Sequence, residues 1–403
     1  FGYDKACYDD RVQWVLDHEK EIIQSATAPE DTDFWCSDKV DSPFCFLAAC
    51  FEWKAYVQSG RSRHFISHIP VALDGSCSGI QHYSAMLLDE IGALATNVKM
   101  LPNATRKEDI YQRVADETIK LLKHDITDPF LKPEYIEWAT LCIAHNLLDR
   151  SVVKRAVMTL PYGSTFNSCS HYIRENITAA LFAAGLPQDK LLTCTAFIAG
   201  RVWKAIPLVV QAARTGMDYL KALATLVAKE GLPVTWTTPT GFVVQQSYYE
   251  ADSERIRLAT GETITIKGGI PVWTPDKTKL VTFKKPDTKR IDKKRQISGI
   301  APNFIHSLDA SHLMFTVKAA AQQGIQDFAL IHDSLATHAG KTEQFAQIIR
   351  QCFHDLYALH TPLEDITEHL SAQITTDKKK LPDFPDKGTL DLKEILNALY
   401  LFS

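Results

Sequence analysis

No run of apolar residues in this sequence approaches the roughly 18–20 needed to cross a bilayer. The longest uninterrupted ones are of the Phe44 to Phe51 kind, so no membrane span is expected. No Cys-x-x-Cys pair occurs among nine scattered cysteines, and the histidines do not cluster with them. That argues against a structural zinc site and for a reducing compartment. The first residue is Phe1, and no basic region followed by an apolar core opens the chain. No secretory signal is therefore visible, and the missing Met reads as a fragment or a processed product. No repeat period and no low-complexity segment shows. The net charge of −4 gives no global reason to expect nucleic acid.

What is present is a chain of 403 residues, 45% hydrophobic, long enough for a full core and two or three domains. Its charge is uneven. Between Lys277 and Arg295 stand nine Lys or Arg against two Asp. Such a segment is either a solvated lysine-rich loop or a surface that holds a phosphate backbone.

The stretch Val71-Ala72-Leu73-Asp74-Gly75-Ser76-Cys77-Ser78 reads as a short buried strand, a carboxylate where the strand runs out, and small turn-formers. Helical spacing follows over Ile80 to Ile91. Asp74 is thereby aimed off a rigid edge into a cleft, as a ligand should be. A second stretch, Asp327 to Thr337, reads as strand, tight turn and strand, with Asp333 at the turn. Two Asp residues on strand ends suit a pair of hard divalent cations that share oxygen ligands with phosphates. Each alone is equally a turn or cap residue.

The rest of the chain frames these two segments. Residues 1–66 read as helical, with a loop over Asp33 to Ser42, a largely buried helix over Pro43 to Val57, and a break at Gly60-Arg61-Ser62. Asn103 or Thr105 is the expected cap of a helix over Lys107 to Leu122. Residues 105–230 are helix-rich, with breaks at Asp125 to Pro129, Gly163 to Asn167 and Gly185-Leu186-Pro187. From Leu232 a hairpin and further β-prone sequence extend to Lys285. A helix is expected from Asn303 to Gln323, closed by Gly324, and another from Lys341 to Ala358. A Pro-broken tail and a last helix over Asp386 to Leu396 precede a hydrophobic end, Leu401-Phe402, expected to be tucked in.

A third element joins the two carboxylates. Over Arg150 to Ser164, positions 150, 154 and 158 share one helix face, with Tyr162 following. Arg150 and Lys154 one turn apart suit a triphosphate, with an aromatic at the far end for a base or sugar. Basic surface helices are common, and it is the combination with Asp74 and Asp333 that carries weight.

Here the chain resembles the single-subunit, bacteriophage-type DNA-directed RNA polymerases, a group that includes mitochondrial enzymes, and most strongly those of podophages. Asp74 to His82 resembles the family's first palm motif, Lys154 to Gly163 its fingers motif, and Ile331-His332-Asp333-Ser334 its second palm motif. Ser298 to Ser307, Phe1 to Lys5 and Ser42 to Phe46 also match. The resemblance implies an α+β right-hand polymerase fold. Its palm carries both Asp on an antiparallel sheet, and a large, mostly helical fingers insertion follows. It assigns 1–100 to the first palm portion, 101–305 to the fingers with a promoter-contacting hairpin after 232, and 306–403 to the second palm portion. The thumb and the N-terminal domain would lie outside this chain, as a missing or separate portion.

The resemblance further implies that Asp74 and Asp333 hold two Mg²⁺ ions and that Arg150 and Lys154 contact the phosphates of a ribonucleoside triphosphate. Met158 and Tyr162 would stand by the nucleotide, Tyr162 helping to reject deoxyribose. His306 would lie near the ribose 2′-hydroxyl, His332 would support the Asp333 turn, and Lys5 would approach from the palm. Phe402 would pack near the catalytic centre. Partners would be a DNA template and promoter and the RNA product, in the cytoplasm of an infected bacterium.

Three departures from the family pattern are expected to matter. One is the start at Phe1. Another is Leu88, where many relatives carry Arg. The third is Pro161, which should kink or end the fingers helix near Leu160. A family A DNA polymerase is the nearest rival, but its second palm motif normally reads His-Asp-Glu, against His332-Asp333-Ser334 here. A catalytically silent nucleic-acid-binding fragment is the other. For base reading, Trp236, Gln245, Gln246 and the lysines and arginines downstream are the candidates.

Overall fold

The computed structural model describes residues 3, 6–102, 104, 106–251, 253–257, 263–267, 270–273, 280–283, 287–375 and 381–403; for 251–289 the backbone alone is described. The chain is mostly helical, with small antiparallel sheets. Lys5, Asn103 and Thr105 lie outside the described residues.

Helices α1 (Tyr8–Asp17), α2 (Glu19–Thr27) and α3 (Pro43–Gln58) open the chain. They pack around a separate small core of Ile22, Ala26 and Cys50. Only Cys50 of α3 is buried, whereas Phe44 and Phe51 are exposed. The expectation of a largely buried helix there is corrected: α3 is apolar all round, and one small cluster can cover only one side of it. Gly60 and Arg61, both at positive φ, turn the chain as expected.

Strand β1 (Pro70–Asp74) buries only Leu73, which corrects the expected buried strand, and leads into α4 (Ser78–Met86), every residue of which is buried. The continuous helix expected as far as Ile91 is broken. Leu88 sits at φ 55, and Asp89 caps a new helix, α5 (Glu90–Ala95), by accepting from Ile91 N–H. The tail closes this corner: Gly388 N–H donates to Leu87 O and Leu390 N–H to Leu88 O. A Cβ on Gly388 would stand 2.3 Å from the Leu88 carbonyl oxygen. Gly388→Ala is therefore expected to destabilise by about 1–3 kcal/mol, as overpacking against backbone does, read as a lower urea midpoint at unchanged slope.

The helical block comprises α6 (Ile110–Thr127), α7 (Pro133–Ala144), α8 (Arg150–Met158), α9 (Phe166–Ala183), α10 (Leu191–Val209) and α11 (Gln211–Lys229). Asp109 caps α6, accepting from Tyr111 and Gln112 N–H, so the helix starts later than the sequence spacing indicates. Among the described residues, one helical stretch, Gln188–Val209, is long and apolar enough to cross a membrane; half of its most apolar window is buried inside the protein. It packs against α9 and α6 as a core helix.

Beyond the block, β2 (Val234–Thr237) and β3 (Val243–Gln246) form the expected hairpin. Strands β4 (Tyr249–Ala251), β5 (Ser253–Arg257), β6 (Thr263–Lys267), β7 (Ile270–Trp273), β8 (Leu280–Phe283) and β9 (Asp287–Ile291) continue as two-stranded antiparallel pairs. Trp236 and Gln246 are buried; the Trp236 indole donates to Ser307 Oγ and the Gln246 amide to Gln296 O. Both anchor the hairpin and are corrected as base-reading candidates, while Gln245 remains exposed.

Helix α12 (Lys293–Gln322) starts ten residues before the expected Asn303, capped by Asp292, and runs through Pro302. Gly324 ends it at φ 81. Strands β10 (Ala329–Ile331) and β11 (Ser334–His338) follow, then α13 (Thr342–Ala358) and α14 (Pro362–Gln373). The final helix expected over Asp386 to Leu396 is only a short 3₁₀ segment, Leu392–Asn397, started by Asp391. Leu401 and Phe402 are buried, as expected.

His312 of α12 is buried beside Phe353 and Phe402, with one ring nitrogen donating to Ile349 O at 3.0 Å. Burial pulls its pKa down to about 4. Between about pH 6.5 and 4 the unfolded chain therefore binds the extra proton, so this group's stabilisation is complete above 6.5 and is lost as pH falls through 4. The loss is on the order of 3 kcal/mol. Urea midpoints taken across that window should fall, and the slope should flatten in H312Q.

Candidate active site

Strand β1 pairs antiparallel with β11, and β10 flanks β11 on its other side. The register sets Asp74 opposite Ser334. An antiparallel pair brings the last residue of one strand to the first of the next, so the 332–333 turn falls beside Asp74. His332 takes φ 56 there, and Gly75 N–H donates to Asp333 O at 3.3 Å. A Cβ on Gly75 would stand 3.0 Å from Gln81 Oε1, a tight contact, and 3.4 Å from Asp333 Oδ2. The chain's last residues complete this edge. Phe402 bridges to Gly75, and Ser403 N–H donates to Asp74 O at 3.0 Å.

Across a cleft of about 1120 Å³ lies α8. Asp149 starts it by accepting from Ser151 and Val152 N–H. Val152, Val153, Ala156 and Val157 face the core, which turns Arg150, Lys154 and Met158 to the cleft. The helix ends at Met158, and Leu160–Tyr162 forms a 3₁₀ turn closed by Gly163 at φ 84. The break expected from Pro161 is present, because proline cannot donate into the helix ladder. Tyr162 is thus presented from a turn and not from the helix face. Its ring stacks on His306 of α12 at 4.7 Å.

One cleft therefore gathers Asp74, Asp333, Arg150, Lys154, Met158, Tyr162, His306 and His332. Arg150 is committed in part: its Nε donates to Asp109 Oδ2 at 2.7 Å, the same carboxylate that caps α6. Sequence reasoning missed Asp309, Ser78, Arg11 and Lys107, which line the cleft too. Asp309 follows His306 by one helical turn, and that spacing was the available signal. Burial, then the Asp309 charge, raise the pKa of Asp333; burial, then Asp309, push up the Tyr162 phenol as well.

Among the described residues, no group of three or more His, Cys, Asp or Glu is arranged to hold a metal. Two carboxylates on neighbouring strand ends in an open cleft do fit Mg²⁺. That ion keeps several waters and takes one or two carboxylates plus substrate phosphate oxygens, not an all-protein cage.

A family model described as DNA-dependent RNA polymerase matches residues 1–380. The chain belongs to this RNA polymerase family. It is 34% identical to the DNA-directed RNA polymerase of Enterobacteria phage T3 and 33% to the T7 RNA polymerase of Escherichia phage T7, over its full length and 47% of each. It is 34% identical to DNA-directed RNA polymerase 3, chloroplastic, of Nicotiana sylvestris, over 38% of that protein. The chain spans at most about half the length of these curated relatives. It is thus a single-subunit, phage-type RNA polymerase sequence, and a two-metal mechanism is general to its kind.

Proposed function

We propose that this chain carries the nucleotidyl-transfer centre of a DNA-directed RNA polymerase. The observation that supports it is the meeting of Asp74 and Asp333 on adjacent strand ends, across one cleft from Arg150 and Lys154. In this reading Asp74 and Asp333 hold two Mg²⁺ ions. When bound, these ions favour ionisation of the RNA 3′-hydroxyl and neutralise charge on the departing pyrophosphate. Lys154 lies along the triphosphate and offsets charge that grows as the α-phosphorus bond to the bridging oxygen breaks; it can also pass a proton to pyrophosphate. Arg150 holds the outer phosphates with whatever of its fork Asp109 leaves open. Met158, Tyr162 and His306 border the base and ribose.

The same reading makes the β1-β10-β11 sheet the palm of a right-hand fold and the helical block the fingers, with portions 1–100, 101–305 and 306–403. The last boundary falls within α12. Template and promoter DNA, product RNA and a further N-terminal polymerase portion are the partners, and the site of action is the cytoplasm of an infected bacterium. The basic segment 277–295 is the proposed phosphate-backbone contact.

Extension of an RNA primer pre-annealed to a DNA template, with Mg²⁺ and either ribo- or deoxyribonucleoside triphosphates, tests this. Extension with ribonucleotides is expected. Preference for deoxyribonucleotides would favour a DNA polymerase, and extension unaltered by Asp74→Asn would sink the metal assignment.

A further inference from the structure

Behind Tyr162 runs a line of polar groups that the proposed chemistry does not use. His82 of α4 is fully buried. Its Nδ1 meets the Tyr357 hydroxyl of α13, and its Nε2 lies 2.8 Å from Asp309 Oδ1. Ser78, also buried, donates its hydroxyl to Asp309 Oδ2 across a long 3.4 Å. Ser78 Oγ is in turn 3.2 Å from the Tyr162 hydroxyl. The line therefore runs from α13 through α4 and α12 to the turn that presents Tyr162.

The direction of these bonds is fixed by what each group can do. A carboxylate only accepts, and a serine hydroxyl has one proton. Both carboxylates near Ser78, Asp309 and Asp333, compete for that one proton. The serine oxygen can then only accept from Tyr162, whose own proton is drawn inward. What Tyr162 offers the cleft is an oxygen lone pair. A ribose 2′-hydroxyl can donate to it, whereas a 2′-hydrogen cannot, and neither can a 2′-fluorine, which is polar but carries no proton.

We propose that Ser78 and Asp309 are positioning residues that hold the Tyr162 hydroxyl as an acceptor, so that a ribonucleotide is selected by the proton of its 2′-hydroxyl. This rests on the reading of Tyr162 as the sugar contact. His82 serves the line by holding Asp309 in place from the buried side.

The test is equilibrium binding of ATP, 2′-deoxy-ATP and 2′-deoxy-2′-fluoro-ATP to this chain. Mg²⁺ is present, with a template-annealed primer ending in a 3′-deoxynucleotide so that no chemistry follows. S78A removes the inward acceptor and frees the Tyr162 proton to face the cleft. D309N keeps the shape but lets its amide donate to Ser78. In both, the preference for ATP over the 2′-fluoro analogue is expected to fall by about threefold to tenfold, one hydrogen bond's worth. Y162F is the reference. If Y162F shifts that ratio while S78A does not, the relay is overturned, because a merely structural role weakens all three nucleotides together. If Y162F itself leaves the ratio unchanged, or the unsubstituted chain binds no nucleotide, it is the Tyr162 reading that fails. S78A leaves the His82–Asp309 contact intact, so it decides the matter even where D309N does not fold.

Discussion

Replacing Asp333 with Asn is expected to lower RNA primer extension by about 10³-fold or more while leaving affinity for DNA unchanged. Asn preserves the size of the side chain and tolerates the turn that His332 and Asp333 make, so the sheet register of β10 and β11 should survive. What it removes is charge. Burial and the neighbouring Asp309 raise the proton affinity of Asp333, which positive charge placed directly against this carboxylate would offset. A bound cation supplies that charge, and a neutral amide would hold it poorly. Single-nucleotide incorporation and DNA binding, measured side by side at the same salt concentration, separate the two effects. Equal loss in both would mean that the substitution acts through folding.

Gly79→Ala should cost about 10²-fold in rate through a different route. Gly79 lies in the first turn of α4, where an added Cβ would stand 2.7 Å from Pro161 Cγ and 2.8 Å from Pro161 Cβ. The proline ring is stiff and buried, so the 160–162 turn must shift, and with it Tyr162. A displacement on the order of 1 Å at a group that positions substrate costs about 10²-fold. Incorporation kinetics should show that loss, with a decrease in stability of only about 1–3 kcal/mol. Pro161→Gly in the same chain removes both of these carbons and should restore much of the rate. Unchanged kinetics in Gly79→Ala would show that the turn yields without carrying Tyr162 along.

The parts of this architecture that were legible in the sequence are those that local chemistry dictates. Apolar β-formers ending at Asp74, the 327–337 hairpin, and proline at 161 each fix backbone geometry within a few residues, and β1, β10, β11 and the end of α8 follow. The errors arise where distant contacts decide. The helix after Asp74 stops at Met86 because Leu88 takes a left-handed turn on which the 388–390 tail docks, a partner some 300 residues away in sequence. Helix α12 runs through Pro302, which the expected boundary at Asn303 treated as a start. The polar line from Tyr357 to Tyr162 joins residues separated by up to 275 positions, and no spacing rule relates them. Arg150 stands where the helix periodicity puts it, but its pairing with Asp109 was invisible until α6 and α8 were packed together.

Localised cleavage of the chain is the most direct test of the claim that Asp74 and Asp333 together hold the divalent ions. Fe²⁺ replaces Mg²⁺ in such sites, and with ascorbate and peroxide it releases hydroxyl radicals that cut only nearby backbone. Cuts are expected around 73–78 and 331–335, suppressed by excess Mg²⁺ and lost in both Asp74→Asn and Asp333→Asn. Cleavage elsewhere, or cleavage at these segments that persists in either variant, would contradict the assignment.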